Sequence, residues 1–176
     1  MKVASIALAL LAASAFGQKL DPIQWTFEPA SPKVAPGGRV AGNLKATLQP
    51  GWHLYSPTTP EGGPIPTSLK LDESPALAKV DVYQPAPDRK FDPNFNLNVE
   101  WFEKDVTFFV VAELQKTAPA GPLELTALVR YQACDDRQCL PPKKKSVTMK
   151  VDVDPAAPQA PVAPPAAYTS IAAPPP

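Results

Sequence analysis

The chain has 176 residues with 25 Pro and 8 Gly, well above the roughly 12% Pro plus Gly of average usage. Interior Pro breaks helices, so this composition argues against a mainly helical protein. Lys plus Arg and Asp plus Glu number 17 each, and a balanced charge supplies no one-signed field for nucleic acid or an anionic surface. A chain of this length buries a core without needing staples, so its two cysteines need a reason of their own.

Met1-Lys2 followed by the uncharged, Ala- and Leu-rich run 3–16 has the charged start and short apolar stretch of a secretory signal, with Ala15 and Gly17 two apart as cleavage requires. The run is too short to anchor in a bilayer. Residues 1–17 are therefore expected to be removed, leaving an exported, soluble chain that starts near Gln18, with no stable membrane insertion. The domain is expected over 18–154.

Inside it the apolar period is two. Val106, Phe108, Val110, Ala112 and Leu114 alternate with their neighbours, as do Val147, Met149, Val151 and Val153, and both runs read as strands with one buried face. Leu123, Leu125, Ala127, Val129, Tyr131 and Ala133 form a third alternation. Shorter strands are expected at 24–28, 40–48, 52–56, 68–71, 79–83 and 99–102, separated by punctuation such as Ala35-Pro36-Gly37-Gly38 and Glu61-Gly62-Gly63-Pro64. Many short strands with frequent turn signals imply an all-β sandwich. Residues 155–176, with eight Pro in 22 positions, read as a disordered, semi-rigid Pro/Ala spacer.

Cys134 and Cys139 lie between two of the clearest strands, so 135–138 is expected to be a four-residue hairpin loop. Residues facing each other across such a hairpin are close enough for a disulfide, and export would allow one. Parity places Cys134 opposite the apolar alternation, facing out of the main core, and an accessible, tightly closed disulfide exchanges with partner thiols. A structural staple is the plain alternative, although a ring this small removes only about 2 kcal/mol of unfolded-state entropy. Metal binding is the third, and a weak one, because zinc wants four ligands and beyond the thiols only His53 and scattered carboxylates are on offer. No metal or other cofactor is expected. Arg137 and Lys143 to Lys145 would favour a thiolate, whereas Asp135 and Asp136 would oppose it. Pro141-Pro142 removes two backbone donors after the second cysteine and leaves the adjoining edge unpaired, open to a partner. One His and no G-x-S-x-G pattern speak against a hydrolase triad, and there is no phosphate loop.

Three segments, taken together, resemble a known family. Tyr131-Gln132-Ala133-Cys134 with Cys139-Leu140-Pro141-Pro142, the upstream Gly51-Trp52-His53-Leu54-Tyr55-Ser56, and Phe91-Asp92-Pro93-Asn94-Phe95 ahead of Trp101-Phe102 are similar to the amino-terminal periplasmic domain of the DsbD thiol:disulfide interchange family. The resemblance implies an immunoglobulin-like sandwich in which Cys134 and Cys139 form a redox disulfide. The pair would pass reducing equivalents to periplasmic acceptors, namely disulfide isomerases and the thioredoxin-like proteins of cytochrome c maturation. It further implies a cap loop whose aromatic covers the disulfide; Phe95 matches that position, with Phe91 as the fallback, and Tyr55 matches a flanking aromatic. His53 stands where the family carries an aromatic, and its plain reading is a partly exposed strand residue. Trp25, Phe27, Trp101, Phe108 and Phe109 are expected in the sandwich core. The best-known members have one more residue between the cysteines and continue into a membrane carrier, so here the donor is expected to be a separately encoded membrane electron carrier. The rival reading is a non-catalytic immunoglobulin-like binding or assembly module pinned by a structural disulfide.

Overall fold

The computed structural model describes residues 20–159 and 161–171; the expected signal segment 1–17 lies outside them. Among the described residues the chain forms strands β1 (Ile23–Pro29), β2 (Lys33–Val34), β3 (Arg39–Leu48), β4 (His53–Tyr55), β5 (Ser68–Leu71), β6 (Leu77–Pro85), β7 (Asp88–Asp92), β8 (Leu97–Phe102), β9 (Val106–Leu114), β10 (Gly121–Tyr131), β11 (Ala133–Cys134), β12 (Lys143–Val153) and β13 (Tyr168–Ser170), with no helix. They assemble as a five-stranded sheet in the order β1-β3-β9-β6-β13, a four-stranded sheet β2-β12-β10-β5 and a second four-stranded sheet β11-β4-β8-β7. The expected all-β, immunoglobulin-like sandwich is the observed fold, with the third, smaller sheet added at one end.

The alternations in the sequence build the two large sheets. Val40, Leu44, Ala46 and Leu48 of β3 and Val106, Phe108, Val110, Ala112 and Leu114 of β9 meet Leu125, Ala127 and Val129 of β10 and Met149, Val151 and Val153 of β12 in one buried cluster. Gly42 marks the closest approach: a Cβ there would lie 2.5 Å from the Phe27 ring and 2.7 Å from Met149 Sδ, so any side chain on β3 at this point would force the sheets apart. Phe27 and Phe108 sit in the core and Trp25 packs against it; Phe109 is only half-buried, and Trp101 belongs elsewhere, as described below.

Two elements depart from the sequence reading. Strand β7, Asp-Arg-Lys-Phe-Asp, has no apolar alternation because it is an edge strand paired only to β8, and four of its five residues are exposed. Within the expected spacer, Tyr168, Thr169 and Ser170 pair with Pro85, Gln84 and Tyr83 of β6, and Ile171 packs on the core. The expectation of a structureless tail does not hold there: an unpaired edge of β6 accepts a short strand, and backbone pairing needs little apolar surface from the incoming segment.

Candidate functional site

The site arises where one strand changes sheets. β10 pairs with β12 as far as Tyr131 opposite Lys143, and two residues later Ala133 and Cys134 pair with Leu54 and His53 of β4. Gln132 holds the crossing point: its Oε1 accepts from Ile65 N at 3.1 Å and its Nε2 donates to Leu140 O at 3.3 Å. The expected hairpin follows, with Asp135 N donating to Gln138 O at 2.9 Å and Asp135 Oδ1 accepting from Arg137 N and Gln138 N, each at 2.8 Å. Hydrogen bonds from those backbone amides, Arg137 N foremost, hold the Asp135 carboxyl below the usual carboxylate range. Cys134 and Cys139 are joined by a disulfide, with their Cα atoms 4.1 Å apart.

Cys134 is turned away from the main core, as parity predicts, but it is not accessible. It is 0% exposed, in a second cluster with Tyr55, Val99 and Trp101, while Cys139 is half-buried at the margin beside Phe95 and Leu97. The correction has a simple cause: once the chain joins β4, the outward face of β11 lies under the β7–β8 connection instead of facing water. The more reachable sulfur is therefore that of Cys139. Pro141 and Pro142, just beyond it, are exposed.

The β7–β8 connection, the cap loop of the resemblance, lies against this cluster through Phe95 and Leu97. Asp92 Oδ1 accepts from Asn94 N at 2.8 Å, Phe95 N donates to Asp92 O at 3.3 Å, and Asn96 turns the chain with a φ of 53°, a left-handed conformation that Asn tolerates. Asn94 Nδ2 reaches across to Asp135 O at 3.4 Å, linking the cap to the cysteine hairpin. The Phe95 ring stands edge-on to Tyr55, centroids 6.1 Å apart. Phe91 is 56% exposed and takes no part in the cap, because it lies on the outer face of β7. Gly63 abuts the cap from behind; a Cβ there would come within 2.9 Å of Leu97 Cδ2.

Beneath the cap runs a chain of polar groups. Tyr55 Oη donates to Asp92 Oδ2 at 2.5 Å, and His53 Nε2 lies 3.1 Å from Tyr55 Oη. His53 is 4% exposed, its ring 4.1 Å from that of Trp101, so it is not the partly exposed strand residue of the plain reading: β11 and the cap cover β4 on the face a single hairpin would leave open. Burial pushes its pKa below the ordinary 6.5 against the pull of Asp92, Glu103, Asp136 and Asp135. Burial first, then the hydrogen bond to Asp92, pushes the Tyr55 phenol well above its usual range. Lys143 and Lys145 are engaged with Asp21, at 3.3 and 2.7 Å, rather than left free to act on a thiolate. On the reverse face of β8, Glu100 accepts from Arg89 at 2.7 Å and from Thr58 Oγ1 at 2.6 Å, which fixes the arm that carries the cap.

The structure thus brings Cys134, Cys139, Phe95, Tyr55 and His53 together and leaves Phe91 outside. Two residues of the site were missed. Asp92, within the quoted cap motif, carries the Tyr55 bond. Trp101, assigned to the sandwich core, shares a face with Leu97 and Val99 at strand spacing, and that parity was the available signal. Among the described residues no group of three or more His, Cys, Asp or Glu is placed to hold a metal ion.

Residues 24–151 match the family described as thiol:disulfide interchange protein DsbD, N-terminal. The chain belongs to that family. Among solved structures it is similar to the N-terminal periplasmic domain of ScsB from Proteus mirabilis, with 18% identity and a TM-score of 0.53 over 76% of this chain and 48% of that one. This chain therefore spans about half the length of that ScsB structure. The N-terminal domain of Neisseria meningitidis DsbD in the reduced form is 18% identical over 68% of this chain and 81% of that one, with a TM-score of 0.40. A search of curated proteins gives no match.

Proposed function

We propose that the chain is an exported interchange module whose Cys134–Cys139 pair passes reducing equivalents to thioredoxin-like or disulfide isomerase acceptors in the periplasm, and that a membrane electron carrier reduces it. The observation that carries the reading is the housing of the bond. Cys139 is half-buried and Cys134 fully buried in an aromatic pocket of its own, under a loop tied down by Asp92 and Asn94. A staple with a sequence separation of 5 contributes only about 2 kcal/mol and needs neither pocket nor cap. The signal-like segment 1–17 supports export, and the family supports the acceptor class.

In the reducing direction a donor thiolate attacks Cys139 Sγ, the bond to Cys134 breaks, and its electron pair stays on Cys134 Sγ. The donor's second thiolate then resolves the mixed disulfide, so the donor leaves oxidised and the chain carries two more electrons. The dithiol repeats the sequence on an acceptor disulfide.

The test is the reduction potential of the pair, measured by equilibrating the mature chain in graded thiol buffers and counting free thiols by alkylation and mass. The expected value lies between roughly −180 and −270 mV, the span of exchange proteins. A bond that resists reduction below about −300 mV would overturn the proposal in favour of a non-catalytic assembly module with a structural disulfide.

A further inference from the structure

The exchange steps above leave the buried histidine without a task. His53 is directly opposite Cys134 in the β4–β11 pairing, and residues so paired share a face with Cβ atoms about 4.5–5.5 Å apart. The proton order along its hydrogen-bonded chain follows from counting. The single Tyr55 hydroxyl proton is committed to Asp92, so the phenol oxygen can only accept from His53. Nε2 at 3.1 Å must then carry a hydrogen, and in the neutral ring the acceptor lone pair is on Nδ1.

We propose that His53 is the proton partner of Cys134: opening the disulfide leaves a thiolate on Cys134, which draws a proton onto His53, and the reduced pair rests as a thiolate beside an imidazolium. The inference rests on the redox reading above. A donor dithiol becomes a disulfide and delivers two electrons; of the two protons its thiols release to water, one is taken up by Cys139 and the other by His53 rather than by Cys134.

Charged groups from several elements act on the imidazole. Asp92 in the cap, Glu103 beyond β8, and Asp135 and Asp136 in the cysteine hairpin favour its charged form; burial opposes it, and in the oxidised chain burial wins. The Lys90 ammonium, 5.8 Å from the Trp101 ring centroid, is itself paired with Glu103 at 2.7 Å. Tyr55 stays a neutral phenol. One more negative charge on the residue across the ladder is the change that reduction makes, and an adjacent imidazolium is a recognised means of holding a cysteine as thiolate.

The chain has one histidine, so its imidazole signal needs no assignment. Carbon-detected titration of the full mature chain, oxidised and then held reduced with dithiothreitol, is expected to show a proton affinity at least about tenfold higher in the reduced form. Equal affinities in a pair that reduces reversibly would overturn the proposal and leave the redox reading intact; a pair that cannot be reduced would remove both. His53→Gln keeps a donor for Tyr55 and cannot titrate. Once a small aromatic thiol is joined to Cys139 as a mixed disulfide, closure by Cys134 is expected to be about threefold slower in this variant for each unit by which the Cys134 thiol pKa rises, because thiolate fraction falls faster than nucleophilicity grows. The deficit should appear near pH 6 and close above the thiol pKa. An equal loss at every pH would mark a structural role and sink the assignment.

Discussion

The space between the two large sheets is filled by Leu44, Leu48, Phe108, Val110, Leu125, Met149 and Val151, whereas the small third sheet, with the turn after β4, buries His53, Ser56, Asp92 and Glu100 beside Tyr55, Trp101 and Cys134. The first region gains stability from contiguous apolar area, which has no direction. The second gives up part of that gain, since each buried polar group must find its partner, and in return holds defined geometry: Asp92 to Tyr55 and Asn94, Glu100 to Arg89 and Thr58. The sandwich is built to persist, and the sheet at its end to place two sulfurs. Damage to the first should appear as lost stability, and damage to the second as altered reactivity.

The sharpest way to break this division is to compare the two largest lesions. Phe108 is fully buried, with Trp25 and Phe102 rings at 6.1 and 5.8 Å, and Phe108→Ala should cost about 3–5 kcal/mol while leaving the reduction potential of the folded fraction unchanged. Cys134→Ala with Cys139→Ala should cost about 2 kcal/mol and abolish all exchange. Urea unfolding of both variants decides: a cysteine pair that costs as much as Phe108 belongs to the architecture, and the division fails.

How far each region could be read from sequence follows the same line. Strands 68–71 and 106–114 were legible to the residue, because burying one face of a two-sided strand enforces alternation. β7 was not, since an edge strand with exposed Arg89 and Lys90 has no face to betray it. The departure at Gln132 was hidden because Tyr131 and Ala133 keep their parity across it; only the change of partner, from Lys143 to Leu54, distinguishes one strand from two. That change is what buries Cys134 and His53, so the two misreadings share one cause. Phe95 packs at the cysteine cluster and Phe91, four residues away, stands outside it, a difference that composition alone does not carry.

Phe95→Ala sharpens the comparison from the site's side. The ring is half-buried and stands edge-on to Tyr55, so truncation removes an edge-to-face pair worth about 0.5–1.5 kcal/mol and little core. Reaction of the reduced pair with a small oxidant should quicken roughly two- to tenfold, the rate equivalent of that contact, with a urea midpoint near wild type. An unchanged rate would mean that Phe95 covers nothing the chemistry needs, and the cap would be a packing feature of the arm.

The smallest effect tests whether the two regions are energetically separate. His53 in the oxidised fold binds its proton less readily than the ordinary 6.5, so as pH falls through about 6.5 the unfolded chain takes up a proton that the folded chain refuses. Stability then rises with pH across that window, and the contribution is lost on acidification toward the folded-state value. Asp21, tied to Tyr131, Lys143 and Lys145 at the edge of the sandwich, has a carboxyl held below 3.8 despite its burial, so its contribution is kept until pH drops beneath that value. The two losses therefore fall in different ranges, the site's near neutrality and the sandwich's in strong acid. Urea midpoints should fall for the oxidised wild type as pH is lowered from 7 to 5. They should stay level for His53→Gln. A parallel decline in both would assign the neutral-range loss to carboxylates of the sandwich and remove the histidine from the account.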